Sequence, residues 1–162
     1  MTTLHRIDDA EEAIEVYGKF RDRILDLIAL SGDETTEQEI LELIDTRQAT
    51  MWVNGESLAI IQIVIDMDDA KKWCLVRHAI GNLSDILAGE DLVDEWAKKW
   101  GAQGMCLIGR KGWSKILTPK NFETKRIEND LPDFKKLIAG RNYFFWKNYG
   151  FSTKNDDPDH QY

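Results

Sequence analysis

Histidine, cysteine and serine are the side chains of this sequence that could bind a metal or attack a carbonyl, and their spacing argues against both. His5, His78 and His160 are scattered, and Cys74 and Cys106 each sit inside an apolar, strand-like run, so no tetrahedral ligand set can be assembled. A thiol in such a run packs as a small hydrophobe. Ser57, Ser84 and Ser114 lack the Gly-x-Ser-x-Gly turn that presents a nucleophile. Carboxylates are so abundant that any acid/base pair chosen among them would be arbitrary. The expectation is that the chain has no catalytic residue and no metal.

Three segments could instead recognise a partner. Gly109-Arg110-Lys111-Gly112-Trp113 forms a turn in which Arg110 and Trp113 could anchor an interface, because Arg and Trp most often dominate binding. The alternative is that Gly109 and Gly112 shape the turn while Trp113 packs on the core. Residues 110–126 hold six bases and one acid, a pattern compatible with nucleic acid. The chain as a whole is acidic, with pI near 4.9, and aromatic stacking platforms are not interleaved with these bases, so nucleic acid is not the expected partner. The third segment carries Tyr143, Phe144, Phe145, Trp146, Tyr149 and Phe151. These cannot all face solvent. Either the segment folds back over the sheet, or it docks on a protein partner.

These segments need elements to position them. Ile14, Tyr17, Phe20, Ile24 and Ile28 recur at spacings of three and four, which predicts a helix over 8–30, capped by Asp8 or Asp9 and ended at Ser31-Gly32. A second helix is predicted over 35–48, capped by Thr35 or Thr36. Asn54-Gly55 predicts a hairpin between Met51-Trp52-Val53 and a strand over 58–65, and a third strand follows over 72–80. Residues 81–89 read as a connection. A helix over 90–100 places Leu92, Val93, Trp96 and Trp100 on its inner face. Then come a strand over 104–108, a brief helix over 112–117 and a strand over 122–127. Leu131-Pro132 breaks the chain before a short helix over 133–139 and the aromatic segment. The fold class is therefore α/β (α+β): a central, mostly antiparallel mixed sheet flanked by helices, with a C-terminal aromatic tail. The domain reading is 1–130 for the core and 131–162 for an extension.

Charge divides the chain. Residues 1–70 hold 17 acids and 5 bases, and residues 71–162 hold 12 acids and 16 bases. The acidic half reads as solvated helix faces, and the basic half could meet an acidic copy of residues 1–70 in a homo-oligomer. No run of eighteen apolar residues is present, and Met1 to Arg6 lacks a signal-peptide pattern. No membrane is expected, and the expected location is the cytoplasm or a particle assembled there.

The order of elements resembles the acetyltransferase (GNAT) superfamily over roughly residues 4–130. A more specific likeness lies in Glu95-Trp96-Ala97-Lys98-Lys99-Trp100-Gly101-Ala102 followed by Ile108-Gly109-Arg110-Lys111-Gly112-Trp113-Ser114-Lys115-Ile116-Leu117. That stretch is similar to bacteriophage-encoded GNAT-like proteins, although Asn121 stands where those carry Gly. The resemblance implies a central strand that splays from its neighbour, with acyl-CoA in the gap and its pyrophosphate on the N–H groups of the next helix. The family's enzymes carry Arg/Gln-x-x-Gly-x-Gly/Ala there. Residues 78–91 keep only Gly81 and Gly89, at a different spacing, and add Asp85, Glu90 and Asp91. Like charges at that place oppose a polyanion. Ile116 or Leu117 stands in the region of the family's Tyr general acid. If acetyl-CoA bound at all, it would lie near Ile80, Gly81 and Asn82; no cofactor is expected. The resemblance thus implies a non-catalytic virion or assembly protein of a phage. It would act on other virion or assembly proteins through Gly109, Arg110, Gly112, Trp113 and the aromatic segment. The alternatives are an N-acyltransferase with an atypical loop and a host-directed inhibitor that uses its acidic face.

Overall fold

Asn54 and Gly55 do make the hairpin, Gly55 at a φ of +59° that suits glycine, and the sheet grows outward from it. The structure is a computed structural model that describes residues 4–31, 35–66, 70–126 and 143–150. Its elements in chain order are β1 (His5–Ile7), α1 (Ala10–Ser31), α2 (Glu37–Asp45), β2 (Ala49–Asn54), β3 (Ser57–Ile65), β4 (Lys72–Ile80), α3 (Leu83–Leu87), α4 (Glu90–Lys99), β5 (Gly104–Gly109), α5 (Ser114–Leu117), β6 (Glu123–Arg126) and β7 (Tyr143–Asn148). Short 3-10 turns flank α5 at Lys111–Trp113 and Thr118–Lys120. Both long N-terminal helices begin on their expected caps. The Glu12 N–H donates to Asp9 Oδ2 at 3.0 Å, and the Glu39 N–H donates to Thr36 Oγ1 at 3.2 Å.

The chain is mixed α+β, and its described residues form one seven-stranded sheet in the order β1-β2-β3-β4-β5-β7-β6. Every pairing is antiparallel except β4 with β5. That parallel pair registers at only two positions, Cys74 with Met105 and Leu75 with Cys106. Beyond them β4 runs on to Ile80 and β5 to Gly109 without further pairing to each other. A bulge at Arg77 lets β4 bend here: Val76 faces Ile61 while His78 faces Ile60.

Strand alternation divides the core into two layers. Met51, Val53, Leu58 and Ile60 meet Phe20 and Ile24 of α1 and Ile40 of α2 on one face. Trp52, Ile61, Cys74 and Val76 meet Val93 and Ala97 of α4, Leu117 of α5 and Phe145 of β7 on the other.

Three expectations are corrected. The aromatic segment is not an appended tail over 143–148. It is an interior strand that pairs with β5 across six residues and with β6 across four. Aromatic side chains favour strands, and the period of two sends Phe145 into the core, where it is fully buried. The predicted boundary near residue 130 therefore falls between two strands of one sheet. Second, Ile14 stands outside the buried stripe of α1, at 76% exposure; Tyr17, Phe20, Ile24 and Leu27 form that stripe. Third, Leu92 lies on the outer side of α4, about 100° around the helix from the buried line of Val93 and Ala97, and Trp100 is exposed because α4 ends at Lys99, one residue before it. The sequence reading also missed β1 and the short α3. The helix expected over 133–139 lies outside the described residues.

Candidate functional site

The turn from β4 to α3 is where the sequence placed any cofactor. Gly81 sits at a φ of +92°, and a Cβ there would come within 2.7 Å of Glu56 O and Ser57 Oγ, so glycine is required. The Asn82 N–H donates to Ser57 Oγ at 3.0 Å, and the Ser57 hydroxyl donates to Asp85 Oδ2 at 3.0 Å. Asn82 caps α3 by accepting the Ser84 N–H on Oδ1 at 2.9 Å. The N–H groups of Asp85 and Ile86 donate to Asn82 O at 3.0 and 3.4 Å. Asn54 Nδ2 closes the far side by donating to Asp85 O at 2.9 Å. The amides of Asn82, Ser84, Asp85 and Ile86 are thus committed to the Ser57 hydroxyl and to the side-chain and main-chain oxygens of Asn82, with the Asp85 carboxylate one bond further on. An incoming pyrophosphate would have to displace each of these bonds and sit against Asp85. The residues present do not fit that group.

The Gly109–Trp113 turn and the aromatic strand come together at the end of β5. Gly109 pairs with Tyr143, and Ile108 pairs with Phe144. The Trp113 ring lies against Gly109 where a Cβ would stand, and both Trp113 and Tyr143 are half-buried against the core. Arg110 and Gly112 are exposed. Phe144 and Trp146 point to the opposite face from Phe145 and stack at 5.5 Å. Tyr149, just after β7, is mostly buried. Phe151 lies outside the described residues. Among these predicted contact residues, Gly109 and Phe145 are buried and cannot touch a partner.

Sequence reasoning missed a buried charged cluster on the same strand. Lys147 Nζ is bonded to Glu90 and lies 2.7 Å from Asp94 Oδ2, and all three side chains are nearly buried. Lys120 approaches Glu90 at 3.7 Å. The Tyr149 hydroxyl and Cys74 sit beside Asp94, but neither the hydroxyl nor Asp94 Oδ1 closes a hydrogen bond of ordinary geometry. Burial raises the Asp94 carboxyl above the ordinary aspartate range despite Lys147. Burial works against the charge on Lys147, but the bonds to Asp94 and Glu90 outweigh it and hold the ammonium above the usual lysine range. Burial pushes the Cys74 thiol up to about 12 and raises the Tyr149 phenol far beyond its ordinary range. The thiol and phenol are therefore protonated at neutral pH, and neither is a nucleophile or base. The cluster ties β7 to α4. Its one sequence signal was Glu90 and Asp94 four apart on a helix, with a lone lysine among aromatics.

A trough of about 1050 Å³ opens where α1, α2 and the start of β2 meet, at the opposite end of the sheet order from β6. The Tyr17 hydroxyl donates to Glu37 Oε2 at 2.9 Å inside it, and Arg21 donates to both oxygens of Glu37, at 2.8 and 3.1 Å. Bonds from Arg21 and Tyr17 hold the Glu37 carboxyl below the usual range, and burial together with Glu37 raises the Tyr17 phenol. Trp96 packs edge-on against Trp52 at 5.6 Å at the margin of the trough, and the Arg6 guanidinium lies over Trp52.

No protein-family model and no curated protein matches the chain. Among the described residues no helix is long and apolar enough to cross a membrane.

Proposed function

We propose that this chain is a non-catalytic, GNAT-like protein that works through protein–protein contacts. The setting its sequence resemblance suggests is a bacteriophage virion or its assembly. The observation that carries the non-catalytic part is the self-satisfied β4–α3 turn: Ser57 and Asn82 occupy the donors that would hold a pyrophosphate, and Asp85 accepts from Ser57 and adds a carboxylate beside them. The GNAT-like part is supported by two N-terminal helices before an antiparallel meander, and by a parallel pair that parts after two positions. Calorimetry with acetyl-CoA tests the reading, and no heat of binding is expected. Binding at micromolar strength, which needs about −8 kcal/mol, would overturn it. The contact part is tested by asking whether the purified particle contains the protein. Removing residues 140–162 would be a poor test, because it deletes the interior strand β7 and with it Phe145. Substitution of exposed residues such as Arg110 leaves the sheet intact and is the better probe.

A further inference from the structure

In the sequence, the bases of residues 110–126 have only Trp113 and Phe122 among them as rings, and Phe122 is buried. The sheet supplies a second ring. Gly109 pairs with Tyr143, and Tyr143 pairs with Arg126, so one row crosses β5, β7 and β6. Paired residues share a face, which puts Arg126 beside Tyr143 on the face of Phe145. The Trp113 ring is seated over Gly109 in the same row and packs on the same core layer as Tyr143. This end of the sheet thus presents two half-buried rings flanked by Arg110, Lys111, Lys115 and Arg126. All four cations are exposed, and among the described residues none of them is held in an ion pair. Glu123, the one acid of the stretch, pairs with Trp146 and points to the other face.

The acidity of the whole chain is screened from this end. The acidic helices α1 and α2 pack on the other face of the sheet, over Met51 of β2 and Ile60 of β3. β3 and β7 are three strand spacings apart in the sheet order, about 14 Å at ~4.8 Å each, and salt at ~0.15 M screens exposed charge over ~8 Å. On the face of the two rings, Glu90 and Asp94 are bonded to Lys147, and Asp85 is bonded to Ser57. Asp91 and Glu95 of α4 are matched by Lys98 and Lys99 of the same helix. Exposed cations beside partly open rings fit a polyanion whose units carry π-faces: the phosphates meet the cations, and unpaired bases stack on the rings. A duplex offers the phosphates but keeps its bases stacked on one another. An acidic peptide offers charge without the rings.

We infer that the Trp113–Tyr143 end of the sheet binds single-stranded nucleic acid, with Arg110, Lys111, Lys115 and Arg126 on its phosphates and the two rings against its bases. The inference goes beyond the protein-contact reading and does not need it. The particle-content and acetyl-CoA measurements that test that reading leave this one untouched.

The test uses the full chain and four fluorescently labelled probes of equal length: oligo(dT), oligo(rU), a DNA duplex and polyglutamate. Anisotropy is the readout. At least one of the two single strands should bind, and the tighter one tells DNA from RNA. Binding should weaken roughly tenfold or more between about 50 and about 200 mM salt, since each phosphate contact adds about −0.7 to the log–log slope. It should exceed binding of the duplex and of polyglutamate at least fivefold. The Arg110→Gln, Arg126→Gln chain should lose at least tenfold and show a flatter salt dependence. The Arg47→Gln, Lys99→Gln chain removes the same charge elsewhere and should stay within twofold of the parent. All four side chains are exposed, so both melting curves should match the parent's. Tyr143→Leu keeps apolar bulk and removes the stacking ring, so it should lose at least fivefold with the salt dependence unchanged. The inference is overturned if neither single strand binds, or if the duplex binds as well, which would reduce the effect to phosphate attraction. Equal binding of polyglutamate would also overturn it and assign the patch to an acidic protein partner. So would an equal loss in the Arg47, Lys99 control, or a Tyr143→Leu chain that melts and binds like the parent.

Discussion

Lys147 Nζ on β7 lies 2.7 Å from Asp94 Oδ2 on α4, and the same ammonium is bonded to Glu90 one turn earlier. The strand made from the aromatic segment is therefore fixed to the helix layer by charge as well as by Phe145. Taking Lys147 away leaves two carboxylates in a dry place. Removal of one partner of a buried ion pair costs ~3–5 kcal/mol, whereas replacing the whole group can be near neutral. Lys147→Met should lose that much in urea unfolding, and Lys147→Met with Glu90→Gln and Asp94→Asn should recover most of it. A single variant as stable as the parent would show that the cluster does not hold β7.

The same cluster sets a pH dependence. The folded Asp94 carboxyl titrates above its ordinary value of 3.8, so between the two values the folded chain holds more protons than the unfolded one. Stability then falls as pH rises through that window. Lys147 titrates above its ordinary value of 10.5 when folded, so its contribution is complete below 10.5 and is lost as pH rises through the folded value. Glu37 acts in the opposite sense, its contribution present above 4.5 and lost on acidification. Denaturation series should therefore be compared between parent and variants. Asp94→Asn should remove the acidic-side fall, and Lys147→Met should remove the alkaline one. Parallel pH profiles for parent and variants would contradict the assignment.

Gly109 and Gly112 look alike in the sequence, and the structure separates them. A Cβ at Gly109 would run into the Trp113 ring, whereas nothing lies within 4 Å of one at Gly112. Gly109→Ala should cost ~1–3 kcal/mol, the usual range for overpacking. Gly112→Ala should be neutral or stabilising by a few tenths of a kcal/mol, since it narrows the unfolded ensemble. Equal effects at the two positions would mean that Trp113 is not seated on Gly109.

Most elements were legible because their periodicity is local. Tyr17, Phe20 and Ile24 announce α1, Thr36 announces α2, and Asn54-Gly55 announces the hairpin. The strand at Lys72–Ile80 has the bounds its apolar run implies. What was not legible depends on pairing partners far along the chain. Tyr143–Asn148 reads as a tail until β5 and β6 are seen on either side of it. β1 has three residues, too few for a pattern, and owes its place to the ladder with Met51–Val53. On α4 the apolar residues outnumber the positions that can face the sheet, so the sequence alone could not say that Leu92 and Trp100 would be left outside. The same limit hid the trough, which exists only once α1, α2 and α4 are placed around β2. The β4–α3 turn was half legible. Its acids were visible, but the role of Ser57, some 25 residues away, was not.

That role of Ser57 makes the last prediction. Its buried hydroxyl accepts the Asn82 N–H and donates to Asp85, so Ser57→Ala orphans a donor and a carboxylate oxygen together. Leaving such groups unmade costs ~1–3 kcal/mol. The effect should also be local. The Asn82 amide should exchange its proton slowly in the parent and much faster in Ser57→Ala, while the Ser84 amide, held by the Asn82 side chain, should change less. Asp85→Asn keeps the shape of the turn and removes its charge. Acetyl-CoA binding should still be absent in that variant, because the amides of Asn82, Ser84, Asp85 and Ile86 remain committed to internal acceptors. Binding gained on Asp85→Asn alone would mean that charge, and not the closed hydrogen-bond circuit, is what keeps a pyrophosphate out. An Asn82 amide whose exchange ignores Ser57→Ala would remove the circuit altogether, and with it the chief structural reason for reading this turn as closed.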